Sequence, residues 1–247
     1  CIRDSLNTAA KNYVHQARLT QDAGVASRAA QLARYQRNAD LSLEMAELWY
    51  RASPDDERAL ANYADILARL DRPVEAIDIL SKQMDLAHDA NFGVLRHSAF
   101  KRNAGDLKAS IERTAALNTR DHSNFSLLLS HTILLQKDEQ PENALAQIGK
   151  LKKFDSEPIR LAVLEARILN QLKRHEDAAS VLEQALEAFP DERKLNTNLA
   201  QTLARFDAAR AEPLYKSLLT DTPRDTTLLI AHSLVAADNK HFDAAIE

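Results

Sequence analysis

The sequence predicts an all-α chain built as a tandem array of antiparallel helix pairs, and three observations carry that prediction. Of 247 residues 45 % are apolar, but only four are glycine and seven proline. Turn-rich β folds need more of both, whereas abundant Ala and Leu suit helices. Small residues recur with a period of 34. The phrase PDDER at 54–58 returns as PDER at 190–193, with Pro190 lying 136 residues, four periods, after Pro54.

The period shows in two registers. One runs through Ser42, Ala76, Ser110 and Ala144 to Ala178, then, after one deletion, to Ala211 and Ala245. The other lies twelve residues earlier: Ala30, Ala64, Ser98, Thr132, Ala166, Ala200 and Ser233. Two small positions, each within an apolar stripe of helical period, describe two antiparallel helices touching closely. They are called here the A and B helices of a unit.

In chain order, residues 4–20 read as a B helix without an A partner, so 1–22 is a half repeat. Six full repeats follow, at 23–56, 57–90, 91–124, 125–158, 159–192 and 193–225, and 226–247 is a partial one. The A helices fall near 24–36, 57–70, 91–103, 124–137, 158–172, 193–205 and 226–239. The B helices fall near 39–52, 73–87, 107–119, 141–153, 175–188 and 209–221. Pro54, Pro190 and Pro223 close their units, and the Asp that follows is expected to cap the next helix. Gly93 makes the third A helix the least regular. HFDAAIE at 241–247 stops about one turn into a B helix. Neither end reads as a polar cap, so the expectation is a fragment of a longer array that self-associates through its uncapped ends.

Several chemistries find no residues to carry them. The four glycines, at 24, 93, 105 and 149, form no phosphate loop. No G-x-S-x-G, H-E-x-x-H or C-x-x-C occurs, so no catalytic residue, metal site or cofactor is assigned. His97, His131 and His232 share one repeat position and read as core or half-buried residues, not a metal ladder. Trp49 and Tyr50 read as divided between core and rim of their hairpin, and KLKKFDSE at 150–157 as a solvated helix end. A net charge of -4 and a pI near 6.1 give no reason to expect nucleic acid. The best apolar run, 227–237, is too short to span a membrane and carries His232. Cys1, the sole cysteine, reads either as the lipidated start of a mature lipoprotein or as an ordinary residue. The helical pattern that begins at once, without a polar tether, favours the second reading.

A 34-residue helix–turn–helix with these registers resembles the tetratricopeptide repeat across essentially the whole chain. No unit carries that family's full Trp-Leu-Gly-Tyr set. The resemblance implies a right-handed superhelical solenoid whose A helices line a concave groove, exposing unit positions 2, 5, 6, 9, 12 and 13. Those 42 positions hold the cations Arg28, Arg34, Arg58, Arg69, Arg96, Arg102, Lys137, Arg160, Arg167, Lys194 and Arg205, against the anions Asp65 and Asp238 alone. Chance would place about five cations and six anions there. Acids gather on B helices and junctions instead, as at Glu75, Asp78, Glu142, Asp177, Glu183 and Glu187. The groove is therefore expected to bind acidic or carboxylate-bearing protein segments, with amides such as Asn62, Asn198, Gln31, Asn170, Gln171 and Gln201 adding hydrogen bonds. Asn62 and Arg96 match part of the family's two-carboxylate clamp, but Phe92 and Ser27 do not.

One stretch is more particular. A Tyr13-containing unpaired helix is followed by T-x-D-x-x-V-A-x-R-A at 20–29, A-x-x-W at 46–49 and the Pro54 junction. Residues 13–77 thus look like the opening repeats of proteobacterial tetratricopeptide outer-membrane lipoproteins. The characterised type is an adaptor of a periplasmic carboxyl-terminal processing protease. That resemblance implies a non-enzymatic scaffold, a protease and its cell-wall hydrolase substrates as partners, and a place at the periplasmic face of the outer membrane. Membrane attachment would come only from an upstream lipid anchor. The alternative is a structural assembly protein of a bacterial envelope or secretion complex, and the sequence leaves a cytoplasmic location open.

Overall fold

The computed structural model describes residues 2–87, 90–98 and 104–238, of which the side chains of 2–6 and 104 are not characterised. Among the described residues there are thirteen α-helices, two short 3-10 segments and no strand. The chain divides into two compact units, residues 1–134 and 135–247. Cys1, Arg102, Ala245 and the 241–247 segment lie outside the described residues.

The first unit holds α1 (Ile2–Thr20), α2 (Ala23–Tyr35), α3 (Ala39–Ala52), α4 (Glu57–Arg69), α5 (Pro73–Ala87), α6 (Ala104–Arg120) and most of α7 (Phe125–Lys137). The second holds the end of α7, then α8 (Pro141–Leu151), α9 (Pro158–Gln171), α10 (His175–Ala188), α11 (Arg193–Leu203), α12 (Ala208–Asp221) and α13 (Thr226–Asp238). Consecutive helices pack pairwise within each unit, as α2 on α3, α4 on α5, α9 on α10 and α11 on α12. The small-residue registers lie where these pairs touch. Ala30, Ala64, Ser98, Thr132, Ala166 and Ala200 are buried, as are Ser42, Ala76, Ser110, Ala144, Ala178 and Ala211, while Ser233 is half-buried.

Larger side chains fill the space beside them. In the first unit Met45 and Trp49 pack with α1, α2 and α4 alanines, and Leu67, Ile77, Leu80, Phe92 and Leu127 form the next cluster. In the second, Leu169, Leu182, Leu195, Leu203 and Tyr215 do the same. Trp49 is buried and its indole N–H donates to Asp56 at 3.2 Å, while half-buried Tyr50 stacks on Tyr63 at 5.5 Å. The core-and-rim reading of that pair holds.

The A-to-B turns share one device. Arg37, Asp71, Glu139 and Lys173, spaced at the repeat or twice it, each have positive φ of 55–59°. Each closes its A helix with a six-to-one bond: Asn38 N–H to Ala33 C=O, Arg72 to Leu67, Gln140 to Leu135 and Arg174 to Leu169. In the 193–225 repeat the turn is one residue shorter, and Asp207 N–H bonds Leu203 C=O directly. The deletion in the period therefore removes the left-handed residue and ends α11 two residues earlier than the other A helices, while α12 keeps its full 14 residues.

Two expectations need correction. After Pro223 the Asp that follows, Asp225, caps the next helix as expected, but after Pro54 and Pro190 the cap is the second residue, Asp56 or Glu192, and not Asp55 or Asp191. Asp56 accepts from Arg58 N–H, Glu192 from Lys194 N–H, and Asp225 from Thr227 and Leu228 N–H. Asp55 instead pairs with Lys82 at 3.3 Å. The third A helix, expected over 91–103, is a 3-10 segment at Phe92–His97, and 99–103 lie outside the described residues. Asn91 accepts from Gly93 N–H at 3.0 Å, tightening the start of this segment. Side chains of α7 hold it: Phe92 N–H donates to the Ser126 hydroxyl at 3.0 Å and the Ser130 hydroxyl donates to Phe92 C=O at 2.9 Å.

Candidate protein-binding faces on the A helices

In the first unit Arg28 and Arg34 project from α2, Arg58 and Arg69 from α4, and Arg96 from the 3-10 segment, all exposed. Arg28 donates to Gln31 Oε1 at 3.2 Å and Arg96 to Gly93 C=O at 3.1 Å. Asp65 sits between Arg34, Arg69 and His97 as the one acid of this face. The His97 imidazole titrates below its ordinary value, first because it is partly buried and then because Arg69 and Arg96 repel its charged form, against a smaller pull from Asp65. Asn62 is half-buried, and its Oδ1 has no hydrogen-bond partner among the described residues.

In the second unit Lys137, Arg167, Lys194 and Arg205 are exposed. Arg160 is half-buried and paired with Glu157 at 2.7 Å, so it is less available than its position implies. The amides are largely committed to the fold. Asn170 donates to the Thr202 hydroxyl at 2.9 Å and its Oδ1 lies 2.8 Å from His175 Nδ1. Asn198 donates to Lys194 C=O at 2.8 Å and Gln171 to Gln136 C=O at 3.4 Å.

The positional scheme does not expose everything it names. Ala68, Phe92, Leu95, Leu129, Ser130 and Leu164 occupy its positions and are buried. Exposure follows the long cationic side chains, whose stems reach past the helix packing. Among the described residues Arg28, Arg58, Arg96, Arg167, Lys194 and Arg205 form no ion pair with an acid.

The B helices behave differently, and here spacing alone gave no warning. Successive B helices are joined acid to arginine: Glu44 to Arg18 at 2.6 Å, Asp85 to Arg120 at 2.8 Å, Asp78 to Arg113, and Glu183 to Arg210. Arg18 holds the Glu44 carboxyl below its usual range, chiefly through their hydrogen bond. Glu75 and Asp177 pair within their own helix starts, with Arg72 and Arg174. Lys152, expected to be solvated, reaches back 2.7 Å to the half-buried Glu165 of α9. Glu165 carried no signal, because its repeat position holds Tyr63, His97 and His131 elsewhere.

The histidines follow the core reading: His131 and His232 are buried, and His131 Nδ1 lies 2.9 Å from the Thr114 hydroxyl. No group of three metal-ligating side chains converges among the described residues. None of the described helices is long and apolar enough to cross a membrane.

No family model matches the chain. Over 195 residues, 78 % of its length, it is 28 % identical to the TPR repeat-containing protein PA4667 of Pseudomonas aeruginosa, of which it spans 32 %. Among solved structures it resembles a tetratricopeptide repeat protein from Parabacteroides merdae, with a TM-score of 0.60 at 12 % identity over 96 % of this chain and 90 % of that one. It also resembles the C-terminal part of a TPR repeat-containing protein from Cytophaga hutchinsonii, with a TM-score of 0.58 at 14 % identity over 93 % and 95 %. Period, helix pairing, buried small-residue registers and these likenesses agree on the fold: the chain is an array of antiparallel helix pairs similar to those of tetratricopeptide repeat proteins.

Proposed function

We propose that the chain is a non-enzymatic scaffold that binds acidic, carboxylate-bearing protein segments on its A-helix faces. The observation that carries this reading is the contrast between faces. Glu44, Asp78, Asp85 and Glu183 of the B helices are held by arginines of neighbouring B helices, while the exposed A-helix cations Arg28, Arg58, Arg96, Arg167, Lys194 and Arg205 form no ion pair with an acid among the described residues. Arginine forks that keep their donors free favour planar oxyanions.

Within that reading the role we propose is an adaptor at the periplasmic face of the outer membrane. It would bring a carboxyl-terminal processing protease together with substrates such as cell-wall hydrolases. The motifs of residues 13–77 support it. Partners held on one scaffold meet at raised effective concentration, and the scaffold performs no chemistry. Such a device has a signature. With protease and substrate both well below their affinities, cleavage should rise with added scaffold, pass a maximum and fall when excess scaffold separates the partners. A rate that rises to a plateau would instead indicate direct activation of the protease, and no response would remove the adaptor role.

A further inference from the structure

Asp65 is the most enclosed charge on the first unit's A-helix face, its side chain 13 % exposed against 56 % for Arg34 and 47 % for Arg69. Arg69 Nε donates to Asp65 Oδ2 at 2.9 Å. Arg34 approaches the same oxygen to 3.6 Å, and His97 Nε2 lies 3.8 Å from Oδ1. Arg69 also comes within 3.4 Å of His97 Nε2. Three basic side chains from three successive A elements therefore close on one carboxylate. We propose that Arg34, Arg69 and His97 form a carboxylate-binding subsite occupied by the protein's own Asp65, and that an Asp or Glu side chain of a partner segment binds by taking the arginines from it.

This rests on the A-helix reading above and adds to it a place and a competitor. Asp65 engages one nitrogen of Arg69, and Arg34 lies beyond hydrogen-bond distance. Each guanidinium carries five N–H donors, so most remain for a second oxyanion. Two arginines and one aspartate leave the cluster positive even with a neutral imidazole, and Arg96 adds a further charge close enough to disfavour protonated His97. An internal acid in such a cluster sets a threshold. It repels an incoming carboxylate and competes for its donors, so only segments dense in acid displace it.

The test is the affinity of the intact chain for a hexaglutamate peptide at low salt, measured by calorimetry. Asp65→Asn removes the competitor and should tighten binding by about tenfold, since like charges a few ångströms apart repel strongly even near a surface. Arg34→Gln should weaken binding about threefold in the wild type and more in the Asp65→Asn background. A merely structural Asp65 would give the opposite sign, so unchanged or weaker binding by a folded Asp65→Asn protein overturns the subsite. Should that variant fail to fold, unchanged affinity of Arg34→Gln overturns it equally. Charge reversal at Arg167, Lys194 and Arg205 leaves this cluster untouched and reads the broader proposal separately. If it weakens partner binding while Asp65→Asn does not tighten peptide binding, only the subsite falls. If the wild type does not bind the peptide at all, the subsite falls, and the reversal alone decides the rest.

Discussion

Asn124 shows how much of one unit can hang on a single amide. Its Oδ1 accepts from Leu127 N–H at 2.9 Å, capping α7, and its Nδ2 donates 3.0 Å to Ala90 C=O, just before the 3-10 segment. A 3-10 segment has poorer internal hydrogen bonds than an α-helix, so its backbone looks outward for partners. Asn124, with Ser126 and Ser130, supplies them from α7 and its N-cap, in the next repeat. Asn124→Ala should therefore cost about 2 kcal/mol, a lost cap plus one of the two donors to the Ala90 carbonyl, which keeps the Ser126 hydroxyl. Asn38→Ala removes only the exposed cap of α3 and should cost about 1 kcal/mol. Urea unfolding of the two variants checks this, and equal losses would mean the Ala90 bond contributes nothing.

At the scale of the element, what the sequence made legible was volume. Ala178 can be neither large nor polar where two helices touch, so it repeats visibly, and helix positions follow from it. Left-handed turns were not legible, although they recur in four of the repeats. Arg37, Asp71, Glu139 and Lys173 are charged residues at a conformation that glycine prefers, and they look like ordinary surface. Gly105, the one glycine in that column, lies inside α6 instead. Ion pairs between B helices were illegible for another reason. Glu183 and Arg210 are 27 residues apart and Asp78 and Arg113 are 35 apart, so no fixed offset announces them. The candidate site divides along the same line: its cations could be counted from the repeat, whereas the Asp65 cluster and the Arg160–Glu157 pair needed geometry. A strained position can be relieved. Lys173→Gly should stabilise by about 0.5–1 kcal/mol, since a left-handed residue with a Cβ costs roughly that much net of glycine's entropy. Gln184→Gly, in the exposed interior of α10, should destabilise by about 1 kcal/mol. Thermal melts in which both lower the midpoint equally would contradict the role of the turn.

Across the whole molecule the charge is sorted by helix type, and the net of -4 conceals it. Partner binding through the A helices should respond to that sorting. Arg167, Lys194 and Arg205 belong to the second unit, are exposed and form no side-chain ion pair with an acid among the described residues, so they are the cleanest set to reverse. Arg160 is left in place because Glu157 already holds it. One exposed charge contributes about 0–1 kcal/mol, so single reversals should barely register. Three together should weaken an acidic partner by about 3 kcal/mol, mainly through slower association and like-charge repulsion. Wild-type affinity should also fall as salt passes about 0.15 M, where the screening length is about 8 Å. A control on the B helices must avoid Arg210, whose loss would unpair Glu183 between neighbouring repeats. Lys108→Glu with Lys150→Glu and Lys216→Glu makes the same change in net charge on exposed positions of α6, α8 and α12 and should leave binding unaltered. Interferometry at two salt concentrations, with helicity checked by circular dichroism, reads all of these at once. Equal affinity for the triple reversal would move the binding surface off the A helices of the second unit. A loss matched by the B-helix control would reduce the effect to net charge alone, because only a face-specific response separates a binding surface from bulk electrostatics.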